Sequence, residues 1–213
     1  MNYGFETSLN KSDRGGWVRL LTLTYLRWMA VIGQTFAVII SYYFLKLNFS
    51  IVGCLSLIFL SSILNLLSGF YFPKTKRLTE FQNMLILLYD LLQLGLMLYF
   101  TGGLTNPFAV FILGPVIISA TVLNLRFTIV LGTVAIVVVA ILSFFYKPII
   151  NLKGQILEPP ELILIGNLIA ISIAIVFIAV YSRRVAIETF SMSQALQAMQ
   201  MALEREQRLS SLG

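Results

Sequence analysis

Six apolar runs, five of them long enough to cross a hydrocarbon layer and one nearly so, leave this chain few ways to fold. They extend from Arg19 to Phe44, Phe49 to Phe72, Phe81 to Phe100, Phe108 to Leu123, Phe127 to Tyr146, and Leu162 to Tyr181. A helical crossing takes about 20 mostly apolar residues, and only the fourth run is short of that. Backbone groups facing lipid must pair within their own segment, so such runs are helices unless they close a barrel, and the period-two alternation of a barrel strand is absent. Pro115 interrupts the fourth run and predicts a kink, while Gly103 and Pro107 bracket a tight connection before it. The expected fold is all-α: a six-transmembrane-helix bundle over 19–182, preceded by a cytoplasmic segment 1–18 and followed by a cytoplasmic helix over 183–213.

Composition agrees and removes several kinds of chemistry. The residues are 58% hydrophobic and 11% charged, against roughly 25% charged in a soluble domain. With no His in 213 residues, the usual general base, the imidazole metal ligands and any His-containing triad are missing. One Cys, Cys54, sits in an apolar run and can build neither a disulfide nor a zinc site within one chain, so no metal is expected. It reads as a small buried apolar residue. The first run follows a polar stretch without a clear cleavage site and is expected to be retained.

Orientation comes from the basic residues that flank the runs. Lys11, Arg14, Arg19, Lys74, Lys76, Arg77, Arg126, Arg183, Arg184, Arg205 and Arg208 share one side, and Lys46, Lys147 and Lys153 the other, with Arg27 left inside the first run. Both termini are then cytoplasmic. The net charge of +6 is accounted for by contact with anionic lipid headgroups, so no nucleic-acid partner is expected.

The segment after Arg183 is rich in Gln, Ser, Met and Glu. Val185, Thr189, Met192, Leu196, Met199, Leu203, Glu206 and Ser210 recur alternately four and three residues apart, the rhythm of a coiled-coil seam. Such a seam could join two copies of the chain. A helix lying on the membrane surface, or a disordered tail, is the plainer alternative.

An ionisable side chain at the centre of a crossing costs about 2.5 to 3.5 kcal/mol on insertion scales, so each needs a partner or a task. Arg27 and Asp90 lie at similar depth from the same side on the first and third helices and are natural partners. They form either a structural ion pair or a pair in which Asp90 accepts a proton coupled to a ligand. Gln34 follows Arg27 by seven residues and Gln93 follows Asp90 by three, which puts each on the same helix face as its charged neighbour. Asn65 and Asn167 either join this polar track or, more simply, bond between helices.

The outer connection Thr101-Gly102-Gly103-Leu104-Thr105-Asn106-Pro107-Phe108 has a plain local grammar. A glycine can end the third helix in the left-handed conformation, and Asn106 before Pro107 is a good N-cap. That describes a tight turn. The same residues also describe a binding surface, with Asn106 offering a donor and an acceptor and Phe108 a flat apolar face. The string GGLTNPF resembles the GGxxNPF heptapeptide of the RegB/PrrB/ActS family of redox-responsive sensor histidine kinases. The stretch Leu26 to Gln34, Asp90 with Gln93, and the closing residues Glu204 to Gly213 resemble the same family.

The resemblance implies a multi-pass protein of the bacterial cytoplasmic membrane that senses ubiquinone, with quinone contact at Gly102, Gly103, Asn106, Pro107 and Phe108. It also implies a homodimer, and a cytoplasmic response regulator reached only through a kinase core. The family's phosphorylated His, ATP-binding domain and regulatory Cys are not in this sequence, so these residues alone are not a kinase. A piece of a longer sensor is expected ahead of a natural kinase-less form. Two other readings stand beside it: a small transporter or channel subunit whose polar track runs through Asp90 and Gln93, and a membrane scaffold in which the heptapeptide is only a turn.

Overall fold

The computed structural model describes residues 20–44, 46–71, 78–150, 156–157 and 159–210. The expected segment 1–18, together with Arg19, Lys74, Lys76, Arg77 and Lys153, lies outside the described residues. All six apolar runs are helical: α1 (Leu20–Tyr43), α2 (Ile51–Tyr71), α3 (Glu80–Phe100), a 3-10 segment (Pro107–Ile112) that passes into α4 (Leu113–Val122), α5 (Leu125–Phe144) and α6 (Glu161–Ser210). Among the described residues α2, α3, α5 and α6 are long and apolar enough to cross a membrane, Pro107–Val122 is apolar but short, and α1, which carries Arg27 and Gln34, is not in that set.

Side-chain chemistry sets the helix ends. The Thr79 hydroxyl accepts from the Gln82 N–H while the Gln82 side chain accepts from the Thr79 N–H, a reciprocal capping box that starts α3. Asn124 starts α5 by accepting from the Phe127 N–H at 3.1 Å, and its amide also donates to Glu80. Pro115 does not break α4. It is the third residue of that helix, and the irregularity lies ahead of it. Proline has no N–H to give the carbonyl of Phe111, and the Leu113 N–H is shared between the carbonyls of Val110 and Phe111, so the chain winds more tightly just before the proline.

The sixth run and the polar segment after it are one 50-residue helix, α6, with no interruption at the Arg183-Arg184 boundary. Two very short strands, β1 (Ile149–Ile150) and β2 (Ile156–Leu157), pair antiparallel between α5 and α6. They are an addition to the all-α expectation. Two-residue strands have too few side chains to show any alternation.

Packing falls into two clusters. Leu87, Leu91 and Leu98 of α3 meet Ile112, Val116, Leu131, Val139 and Ile175 in the larger one, which joins α3, α4, α5 and the first half of α6. The smaller joins α1 to α2 through Val31, Val38, Cys54 and Ile58, with Met97 of α3 touching it. Large apolar side chains such as Phe36, Phe59, Phe70 and Leu162 are left exposed on the outer helix faces. So much outward apolar surface on long apolar helices belongs in lipid, and the chain is a helical membrane protein.

The α1–α2, α3–α4 and α5–α6 connections converge at one end of the bundle. The Asn48 N–H donates to the Ile150 carbonyl at 2.9 Å, and the Lys147 N–H donates to the Tyr99 carbonyl at 2.8 Å. That end carries the heptapeptide.

Candidate functional site

Two rungs of polar side chains cross from α1 to α3. In the first, Arg27 Nε donates to Asp90 Oδ1 at 2.8 Å, with the two side chains only 11% and 22% exposed, and the guanidinium lies 5.2 Å over the ring of Tyr89. In the second, Gln93 Nε2 donates to Gln34 Oε1 at 3.2 Å. The rungs lie on one face because seven residues separate the positions on α1 and three separate those on α3. Long side chains do this bridging, and the backbones of α1 and α3 make no extended contact.

Toward the heptapeptide end the space between α1 and α3 opens into a cavity of about 610 Å³. One wall is α1 from Gly33 and Gln34 to Ser41, another is α3 from Leu94 to Thr101, and Leu47, Phe49, Ile149 and Pro159 from the neighbouring connections close part of it. The remaining wall is the heptapeptide from Thr105 through Asn106, Pro107 and Phe108 to Phe111 beyond it. The rings of Phe108 and Phe111 stack at 5.9 Å and 12°. Their spacing of three residues matches the three-residue turn of the 3-10 helix that carries them.

The glycines have a different task. Gly102 and Gly103 sit at φ +96° and +62°, the left-handed region that a side chain rarely adopts. A Cβ on Gly103 would stand 2.8 Å from the Leu142 carbonyl oxygen, and one on Gly102 would stand 2.8 Å from Ile149 Cδ1. They turn the chain off α3 and let it press against α5 and β1. Neither lines the cavity.

Asn106 is the N-cap of the following 3-10 segment, with Pro107 at its first position. Its Oδ1 accepts from the Phe108 N–H at 2.8 Å, and its Nδ2 donates to the Thr101 carbonyl at 3.1 Å and the Thr101 hydroxyl at 2.7 Å. The side chain therefore ties the end of α3 to the start of the next segment. Of the positions singled out in the sequence, Gln34, Asn106, Pro107 and Phe108 meet at the cavity, whereas Arg27, Asp90 and Gln93 stand behind it.

Phe111 and Asn83 went unremarked in the sequence, whereas Asn65 and Asn167 were expected to bond between helices. Phe111 joins Phe108 in the cavity wall, a relation visible in their spacing. Asn83 on α3 is fully buried with neither end of its amide paired, and Asn65 Oδ1 is also buried without a partner. Asn167 of α6 donates from Nδ2 to the Leu104 carbonyl at 2.9 Å, which fastens the heptapeptide to the long last helix. Among the described residues no cluster of His, Cys, Asp and Glu side chains could hold a metal ion.

No family model matches the chain, and no solved structure matches it. Two proteins named "Sensor histidine kinase RegB", both from Cereibacter sphaeroides, are 47% and 48% identical to it over all 213 of its residues. Over its whole length the chain is similar to RegB. It spans 46% of the length of each of these RegB relatives, so the match places the whole of this membrane-embedded chain within a longer RegB sequence. The rungs, the cavity and the heptapeptide are all inside the matched region.

Proposed function

We propose that this chain is the membrane sensor region of a RegB-type kinase and that the cavity between α1, α3 and the heptapeptide takes the head of a ubiquinone. The observation that carries the reading is the cavity itself. Its volume of about 610 Å³ is that of a small-molecule site, and apolar and aromatic walls with a few polar groups are what such sites use. The stacked pair Phe108 and Phe111 offers a flat surface to a flat ring. An apolar tail could leave through the lipid-facing side.

In this reading the bundle crosses the bacterial cytoplasmic membrane six times with both termini in the cytoplasm, and the cavity lies toward the outer leaflet. Oxidised and reduced quinone bind two arrangements of the heptapeptide unequally, since a ligand of equal affinity for both would shift nothing. The hydrogen bond from Asn167 to Leu104 carries the difference to α6. The helix passes it as a homodimer to a kinase core, and through that core to a response regulator. The transporter reading has no observation of its own, because Arg27 and Asp90 are spent on each other behind the cavity.

The test is a titration of the chain in lipid nanodiscs with ubiquinone-1, following binding by equilibrium dialysis in parallel with Phe108→Ala. Saturable binding that Phe108→Ala weakens roughly tenfold is expected from the loss of a large aromatic contact. No saturable binding to the unaltered chain would end the quinone reading.

A further inference from the structure

Resting on that reading, the hydrogen-bond capacity of the cavity wall decides which side chains are left to address a quinone. Five residues with polar side chains reach the cavity: Gln34, Ser41, Thr101, Thr105 and Asn106. Three of them have given away their donors. The Thr101 hydroxyl donates to the Met97 carbonyl at 2.8 Å, the Thr105 hydroxyl donates to the Gly102 carbonyl at 2.6 Å, and Asn106 Nδ2 donates twice to Thr101. A quinone carbonyl only accepts, so the heptapeptide as folded has no side-chain donor to offer it.

The two remaining residues are both on α1. Gln34 Oε1 accepts from the Gln93 amide, and Gln34, which lines the cavity, keeps its Nε2 donor without a hydrogen bond among the described residues. The Ser41 hydroxyl has no partner among the described residues. Seven residues separate them, about 10 Å along a helix axis, which leaves room for a six-membered ring with a hydrogen bond at each carbonyl. We infer that α1, through Gln34 Nε2 and Ser41 Oγ, supplies the hydrogen bonds that hold the carbonyls of the oxidised ring, while the heptapeptide shapes the pocket and reports on its occupancy. Gln93 is a positioning residue. By occupying Gln34 Oε1 it turns the amide donor toward the ligand.

A quinone carbonyl accepts from Gln34 Nε2 and from Ser41 Oγ, and a quinol hydroxyl can also donate to Ser41 Oγ or to the second lone pair of Gln34 Oε1, so these α1 groups hold the ring without any change of charge at Arg27 or Asp90.

The experiment is infrared difference spectroscopy of ubiquinone-1, 13C-labelled at its carbonyls, bound to the 213-residue chain in nanodiscs, with affinities measured in parallel. The unaltered chain should shift the carbonyl stretch to lower frequency than in lipid alone. Gln34→Met should lose the shift of one carbonyl and bind the oxidised form roughly 3- to 10-fold more weakly, the range expected for one neutral hydrogen bond. Ser41→Ala should lose the other. Gln93→Leu should broaden the first band, because the freed amide can turn over. Saturable binding by the unaltered chain with unshifted carbonyl bands would overturn the inference while leaving the quinone reading standing, and that outcome needs no variant to fold. Unchanged bands and affinity in Gln34→Met would do the same. Absence of binding to the unaltered chain would remove both.

Discussion

A guanidinium with 11% of its side chain exposed is tolerable only because Asp90 faces it. Asp90→Ala leaves that charge unpaired in a low-dielectric surrounding, and removing one partner of a buried pair destabilises by about 3 to 5 kcal/mol. The double change Arg27→Leu with Asp90→Leu should recover most of that loss. Thermal unfolding of the purified chain in nanodiscs measures both, and an unaltered midpoint for Asp90→Ala would mean that the pair contributes little. Counting residues from one membrane face brings Arg27 and Asp90 to one level, because depth along two helices is arithmetic. The spare donors in the cavity are not arithmetic. That Asn106 caps a helix is legible in Asn-Pro. That its amide is consumed by Thr101 depends on where the end of α3 arrives, which only the folded chain decides. The glycines show the same division: the sequence admits both a turn and a binding surface, and it is the Leu142 carbonyl and Ile149, remote in sequence, that press on the places where their side chains would be.

Asn167 joins two elements that the sequence gives no reason to pair in particular. Its hydrogen bond to the Leu104 carbonyl makes α6 a direct neighbour of the heptapeptide, whereas a lone Asn in an apolar run reads only as a group in search of a partner. Asn167→Leu should leave ubiquinone affinity nearly unchanged and abolish the ligand's effect on a spin label placed at Met199. A label that still responds would move the coupling to another contact, such as the Arg183 Nη1 bond to the Leu123 carbonyl at 3.2 Å. Helix positions were the most legible part of the fold, since long apolar runs give helices whose ends fall at recognisable caps. Pro115 announced an irregularity in the fourth run but not that it falls ahead of the proline, and the two-residue strands were not legible, because they depend on backbone pairing over too few residues to leave a pattern. A helix was expected on both sides of Arg183 and Arg184, and the structure joins them without a break. The change from apolar to polar composition there records a change of solvent, and the backbone does not change with it.

From Ile187 to Gln207 every residue of α6 is exposed, and the stripe Met192, Leu196, Met199 and Leu203 has nothing against it in a single chain. If that stripe is the seam between two copies, Leu196→Lys with Leu203→Lys should convert a dimer to a monomer in nanodiscs, read by single-molecule photobleaching, and Leu196→Cys should cross-link to its counterpart under mild oxidation. A chain that is monomeric without these changes would leave the stripe to lie on lipid instead. The continuity of α6 also sets the mechanical gain of the molecule. Asn167 and Ser210 are 43 positions apart on one helix, about 65 Å at roughly 1.5 Å per residue. A rod of that length, gripped near one end, works as a pointer: each degree of tilt at the heptapeptide sweeps its far tip by about 1 Å. Shifts at the cavity too small to rearrange the packed core would then arrive at the other end as displacements as large as an atom.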